Sequence, residues 1–536
     1  MPFAADASHA RSRTPGDIQV HVDEHRGDRV TKHRWLAPTA LLVSLGLVAA
    51  ACGGDNKGGA AATTAAPAAT TAAAATTTAS TAPASTSGGP TTTAAEGPVI
   101  PAAGTGTYGQ DPNNKNLYVG PSGFTIDLSK CPSDWNINQG ITDTEIAAFA
   151  SYPKSGPLAG FALLYDGMQA YYDYVAQNGG IDGRKIVLDG KDDQYAPAAT
   201  KTNSDEALAA NKYAIFDAIL GTPNNLGIWD DTNRECMPQL LNATGAPQWG
   251  DVENHPWTTG APGLNYFSEA GLWVEWLKQK FPNGVKVVSI TFNNDFGQTY
   301  VKGIKHYIEG TNIQLVADFA HDPTAPNIDN QYTSAAASGA DVLLLQTTGT
   351  YCTQGMADVE KGSWHPTVIL SGTCASKNQF FKPLIDQGLT GKDTYTILGG
   401  KDPLDPALAS DPLIVAYKDV MTKAGLDPNK STYFTGWVYA WYTVEVLKEA
   451  ASYRGGLNRA NIILAAHAIQ QTSPFLFPGL TSKLDGMKDA YLVEGGQMFQ
   501  YTVSDPKQLG TFVPNGPLIN LEGKLGTYKS VSSIGG

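Results

Sequence analysis

Ser155 to Pro197 reads SGPLAGFALLYDGMQAYYDYVAQNGGIDGRKIVLDGKDDQYAP, and most of the architecture is foreshadowed in it. Leu158 to Asn178 has the apolar spacing of a long amphipathic helix, and Gly179-Gly180 is a helix stop because glycine accepts left-handed backbone without a Cβ clash. Lys185 to Leu188 then reads as a strand and Ala196 to Ala210 as a second helix. Working outward, Thr144 to Ala150 (TEIAAFA) is a strand candidate upstream, Tyr213 to Leu220 has a buried-strand pattern, and Met237 to Asn242 is a further short strand.

The alternation restarts after Gly263. Helices are expected at Tyr266 to Lys280, at Gln298 to Glu309, from Ser334 onward, and at Gln354 to Lys361; strands are expected at Val285 to Phe292, Gln314 to Phe319, Asp341 to Gln346 and Thr367 to Leu370. Strands alternating with helices predict parallel sheets covered on both faces. Two such runs predict two α/β lobes. Ligands of open parallel sheets sit beyond the carboxyl ends of the strands, so the strand-to-helix loops are where site residues belong. The aromatics Tyr152, Phe161, Phe296 and Tyr351 qualify by that position.

The chain has 536 residues, 42% hydrophobic and 16% charged, which is enough apolar material for a large core and suits two to four domains. Its formal net charge of −13, without a long basic run, argues against a nucleic-acid partner, because phosphate contacts need clustered Lys and Arg.

The first 51 residues read as an address. Trp35 to Ala51 is apolar, follows Lys32, His33 and Arg34, and ends in small residues, the pattern of a secretory signal. It is shorter than the ~20 residues a membrane span needs, and it contains Pro38. Ala49-Ala50-Ala51-Cys52-Gly53-Gly54 resembles the lipobox of bacterial lipoproteins, with Cys52 as the lipidated residue and Ala49 in place of the usual leucine. Met1 to Arg29 mixes acidic and basic residues, so translation starting near residue 30 is the alternative to a 1–51 signal. Residues 52–97 are then the lipidated cysteine and an Ala/Thr-rich tether with nothing bulky to bury. Residues 98–140 form a leader, with folding expected from near Cys131.

Enzyme signatures are weak. Gly104 to Gly109 fits GxGxxG but follows a tether, where no strand precedes it. Ser151 to Lys154 fits SxxK, yet Pro153 opposes the helix start that motif requires. Neither a nucleophile–base–orienter set nor a metal-ligand spacing is visible, since the five cysteines form no CxxC. No cofactor, metal or catalytic residue is expected.

Ser155-Gly156-Pro157, the long helix, Asn178-Gly179-Gly180-Ile181, Asp192-Asp193 and Pro197 together resemble the leucine/isoleucine/valine-binding protein family, the type I periplasmic binding proteins of ABC importers. Asn294-Asp295-Phe296-Gly297 is similar to a loop of that family's second lobe, and the likeness runs from about Ile141 to Thr502. The resemblance implies two Rossmann-like lobes with parallel sheets joined by a three-strand hinge: lobe I from 141–262 and 402–488, lobe II from 263–401 and 489–525. It implies a ligand held by Phe161, Thr222, Asn224, Asn242, Thr244, Phe296, Thr348, Tyr351 and Thr373, to which loop position adds Tyr152. Thr373 stands where amino-acid binders keep an acid for the ammonium group, and Ser371 to Ala375 contains no Asp or Glu. An amino acid thereby loses its expected partner, and amides, carboxylates, polyols and aromatic acids stand beside it.

The implied function is capture of a small polar ligand (amino acid, amide or related small acid) and delivery to ABC permease subunits. The protein would be a monomer, lipid-anchored at the outer face of the cell membrane. A ligand-sensing module acting on a receptor is the other function this fold serves. Cys352 and Cys374 follow consecutive strands and are expected within disulfide reach. Cys131 then pairs with Cys236 or stays free, and four separate thiols are the alternative in an oxidising compartment.

Overall fold

Residues 107–524 are described by the computed structural model, so Cys52, the signal and the tether lie outside the described residues. Folding begins well ahead of Cys131. Strands β1 (Gly109–Gln110), β2 (Leu117–Val119) and β3 (Thr125–Asp127) form a small antiparallel sheet. Each strand is too short to show an alternating pattern, yet Tyr118, Phe124 and Ile126 are buried. The Cys131–Cys236 disulfide fastens this leader. Arg459 does so as well: its guanidinium lies 4.7 Å over the Trp135 ring and donates to the carbonyls of Asn136 and Cys236 at 3.3 and 3.1 Å.

The first α/β run is β4 (Glu145–Tyr152), α1 (Ala162–Gln177), β5 (Lys185–Asp192), α2 (Pro197–Ala209), β6 (Ile215–Asp217), α3 (Thr222–Leu226), α4 (Trp229–Arg234) and β7 (Gln239–Leu240). Its sheet is parallel in the order β5-β4-β6-β7, with β4 and β5 in register from Glu145↔Lys185 to Tyr152↔Asp192. Ser151 is therefore a strand residue, which disposes of the SxxK motif; Gly109, the last glycine of the GxGxxG match, lies in β1.

The second run is α5 (Tyr266–Lys280), β8 (Val285–Phe292), α6 (Asp295–Tyr307), β9 (Ile313–His321), α7 (Asp329–Ala336), β10 (Val342–Gln346), α8 (Thr350–Lys361), β11 (Thr367–Leu370), α9 (Lys382–Asp386) and β12 (Thr394–Leu398). Helix α6 starts ahead of the expected Gln298 because the Asn294 side chain caps it, accepting from Phe296 N and Gly297 N. The chain then returns to pack α10 (Pro412–Lys423), α11 (Ser431–Ser452) and α12 (Arg459–Ala466) around the first sheet. Two glycines bring α11 against α1: a Cβ on Gly436 would lie 1.8 Å from the Leu164 carbonyl, and one on Gly167 would lie 2.2 Å from that of Tyr433.

A short hairpin, β13 (Gln470–Gln471) and β14 (Ser482–Lys483), precedes β15 (Gly495–Thr502) and β16 (Thr511–Asn520). These last two strands run antiparallel on the edge of the second sheet, giving β16-β15-β12-β11-β10-β8-β9, so that sheet is mixed and not wholly parallel.

The chain thus passes between the two sheets three times, near residues 258–265, 398–402 and 492–495, and Leu264 pairs with Val493 where two of these segments run side by side. Beside the third crossing, ligand-capable oxygens of Asp489, Glu494 and Glu522 lie within 4.8 Å of one another, with Lys483 2.8 Å from Asp489 supplying positive charge. Among the described residues, no helix is long and apolar enough to cross a membrane.

Candidate functional site

The carboxyl ends of both sets of parallel strands face a cavity of about 420 Å³. Loops after β4, β5, β6 and β7 supply one wall and loops after β8, β10, β11 and β12 the other, with α11 along one side. This is the placement that parallel strands dictate, because side chains in the loops beyond their carboxyl ends converge on the crevice.

The segment Ser155 to Pro197 builds its part of the wall through its two aspartates. Asp192 accepts from Lys154 N at 2.7 Å and Ser155 Oγ at 2.7 Å, which fixes the loop leading to Phe161. Asp193 is buried; it accepts from Ser151 Oγ, Thr200 Oγ1 and Tyr195 N, each at 2.9 Å, and burial is the largest influence on its carboxyl, raising its pKa. Gln194 and Tyr195 take left-handed backbone (φ 54° and 62°), an uncommon state for such residues, and Tyr195 is thereby delivered to the cavity. Gly221 makes room for it: at φ 101°, a Cβ there would stand 2.6 Å from the tyrosine ring.

Six of the ten ligand contacts expected from the sequence line the cavity: Phe161, Thr222, Thr244, Phe296, Thr348 and Thr373. Thr222 and Thr244 come from loops after neighbouring strands and hydrogen-bond through their hydroxyls at 2.5 Å, and Tyr266 Oη donates to Thr244 at 3.4 Å. Thr348 Oγ1 is buried without a protein partner.

The other four are not on the wall. Tyr152 turns back and stacks on Tyr165 at 3.4 Å, in space that Gly190 of the paired strand leaves open. Asn224 is fully buried and donates to Thr200 Oγ1 at 2.7 Å, buttressing the Asp193 network from behind. Asn242 lies buried one residue before the wall residue Ala243, with its backbone N donating to Thr259 O at 3.0 Å. Tyr351 points into the second lobe, its hydroxyl shared between the carbonyls of Pro323 and Ala325 at 2.7 Å each, and its ring against Phe292 and His321. Position in a strand-to-helix loop locates the right neighbourhood but does not settle the side-chain direction.

The structure also brings residues that the sequence reading did not select. Glu269, from the first full turn of α5, reaches the loop in which no acid was found: its Oε1 accepts from Gly372 N at 2.5 Å and its Oε2 from Tyr300 Oη at 2.7 Å. Burial pushes its carboxyl up to about 7, against which those two hydrogen bonds act in the lowering direction. The signal was present: Glu269 is three residues from Tyr266 and four from Trp273, so a carboxylate sits on the apolar face of the helix. Lys401 and Asp402, at the second crossing, also line the cavity, and each is paired, with Asp411 and Lys377 respectively, at 2.8 Å.

The two walls touch around the rim. Segment Lys377–Phe381 forms a π-helical turn, and its neighbour Ser376 Oγ lies 3.0 Å from Ser431 Oγ and 3.3 Å from Thr432 Oγ1. Thr432 donates to Gln379 Oε1 at 3.0 Å, and Asn378 donates to the Asn429 carbonyl. On another side of the mouth, the Gly349 backbone approaches Pro157 and Leu158. Cys352 and Cys374 are bonded, joining the base of α8 to the loop that carries Gly372 and Thr373.

Known proteins share this architecture. The fold resembles a fatty acid ABC transporter substrate-binding protein from Thermomonospora curvata (18% identity, 73% of this chain and 96% of that one, TM-score 0.58). It also resembles a branched chain amino acid ABC transporter protein from Thermus thermophilus with bound valine (15%, 71% and 97%, TM-score 0.61). A third is a solute binding protein from R. palustris in complex with 4-hydroxybenzoate (16%, 70% and 98%, TM-score 0.58). At these identities the likeness speaks for the fold. No curated protein sequence matches the chain. The model of the periplasmic binding protein family matches residues 150–495, most of the chain, and the protein belongs to that family of type I solute-binding proteins.

Proposed function

We propose that this protein is an extracytoplasmic lipoprotein that captures a small organic molecule between its two lobes and delivers it to the permease subunits of an ABC importer. The observation that carries the reading is the cavity of about 420 Å³ between two facing carboxyl edges, in one chain that crosses three times between them. Two bodies joined by a few crossing segments and meeting at a rim suit hinge closure, in which ligand bridges the walls and stabilises the closed form. Phe161, Thr222, Thr244, Phe296, Thr348 and Thr373 are the contacts we assign, with residues 141–262 and 402–488 moving as one lobe and 263–401 and 489–525 as the other.

The anchor rests on Cys52, which follows an apolar segment ending in Ala49-Ala50-Ala51. Residues 52–97 would act as the tether that lets a monomeric binding domain reach away from the membrane. Cys52→Ala is expected to move the protein from the membrane fraction to the soluble one, and retention with an uncleaved 51–52 bond refutes the anchor. Closure is tested separately by small-angle scattering: saturating ligand is expected to reduce the radius of gyration, and an identical radius in both states refutes the clamp.

A further inference from the structure

We propose that the cavity takes an amphipathic molecule, with one oxygen-bearing head and an apolar body larger than a leucine side chain, and that it discriminates against free amino acids. The inference rests on the solute-binding reading above and deepens it.

The walls meet on one side of the rim through Ser376, Gln379 and Thr432, and the rest of the mouth is open to solvent. A cavity of about 420 Å³ falls within the ~300–1,000 Å³ of sites that enclose drug-sized ligands. Leucine, with fewer than ten non-hydrogen atoms, would leave much of the wall without contact, and an apolar wall left unfilled forfeits its dispersion contacts.

Ile397, Leu398, Phe475, Leu476, Val493 and Phe512, from β12, the third crossing, β16 and the loop after β13, line a large part of the cavity, and none has a side-chain hydrogen-bonding atom. Such a surface has no use for a second charged group. The charges that do line it are already matched, Lys401 by Asp411 and Asp402 by Lys377.

Among the described residues lining the cavity, Glu269 is the acid without an ion-pair partner, and one oxygen serves Gly372 N while the other serves Tyr300 Oη. An ammonium group would have to compete with both bonds, and a buried ammonium without a carboxylate is costly. By contrast, hydroxyl groups are plentiful: Thr222, Thr244 and Tyr266 form one linked set, and the half-buried Thr373 and Ser376 add hydroxyls to the wall. Hydroxyls of this kind satisfy a carboxylate, amide or alcohol oxygen.

The test is titration calorimetry on the full chain carrying Cys52→Ala, with butanoate, hexanoate, octanoate, leucine and valine as probes. The expected result is affinity rising about fourfold per added methylene, the increment of a buried CH₂, with octanoate at least a hundredfold tighter than leucine. Leucine or valine binding as tightly as octanoate, or a flat carboxylate series, overturns the assignment of ligand class and leaves the protein a binder of another solute. Failure of all five probes, together with failure of a broad metabolite library, overturns the solute-binding reading itself.

Discussion

Glu269 makes a sharp test of the site because its carboxyl is buried between Tyr300 and the Gly372 amide, and burial raises it from 4.5 to about 7. The folded protein then holds this proton more tightly than the unfolded chain does. Between those two values the native state binds one proton more than the unfolded state at this position, so its contribution to stability is fully present below pH 4.5 and is lost as pH rises through 7. With 1.36 kcal/mol per unit, the total is about 3 kcal/mol, of which about 2.5 kcal/mol falls between pH 5 and pH 8. The perturbation is Glu269→Gln, which keeps an acceptor for Gly372 N and a polar group for Tyr300 but cannot titrate. Urea unfolding of ligand-free wild type and variant is compared at pH 5, 6, 7 and 8. Other buried acids, such as Glu494, pushed up to about 8 by burial, are common to both proteins and cancel in the difference. The variant is expected to gain about 2.5 kcal/mol on the wild type from pH 5 to pH 8. Two parallel stability–pH curves would show that Glu269 is ionised without penalty, and the described burial would be refuted.

Three further outcomes are expected. Gly436→Ala places a methyl group where the Leu164 carbonyl already stands, 1.8 Å away, so α11 must move off α1; a loss of about 1–3 kcal/mol or more is expected in urea unfolding, and an unchanged midpoint contradicts the close packing. Replacing Cys352 and Cys374 together by serine removes a cross-link spanning 22 residues, for which loop entropy gives about 3 kcal/mol of destabilisation, read by the same method. Thr432→Val removes rim hydrogen bonds to Ser376 and Gln379; at about 1 kcal/mol each, ligand dissociation in stopped-flow should speed up by roughly five- to thirtyfold, and an unchanged off-rate argues that the rim opens elsewhere.

The parts of the fold legible in the sequence are those with a strong period and a clear stop. Leu158 to Asn178 and Val285 to Phe292 read directly because their apolar spacing is undisturbed and glycines or turns bound them, and α1 and β8 fall there. The leader sheet was not legible: Leu117–Val119 and Thr125–Asp127 each offer one inward residue, too few for a period. Nor was the antiparallel edge formed by β15 and β16, since Phe512 and Tyr501 acquire their meaning only from Phe381, more than a hundred residues upstream. At the site, Phe161 and Phe296 were readable from loop position and Thr222 and Thr244 from the family resemblance, whereas Tyr152 and Tyr351 satisfied the positional criterion and turned into the cores of their lobes. Glu269 was not legible as a site residue because it lies on a helix and reaches the acid-free Ser371 to Ala375 loop only through space.

The central claim, that one solute is held between the two walls, is tested most directly by thermal shift of the full chain carrying Cys52→Ala against a metabolite library rich in amphipathic acids. At least one compound is expected to raise the unfolding midpoint in a dose-dependent way, equivalent to about 2.7 kcal/mol at a hundredfold excess over Kd. The same compound should give little or no shift with the Thr222→Val/Thr244→Val variant, whose wall hydroxyls are gone. A library without a single stabilising compound, or a stabilising compound that acts equally on the variant, would contradict the account.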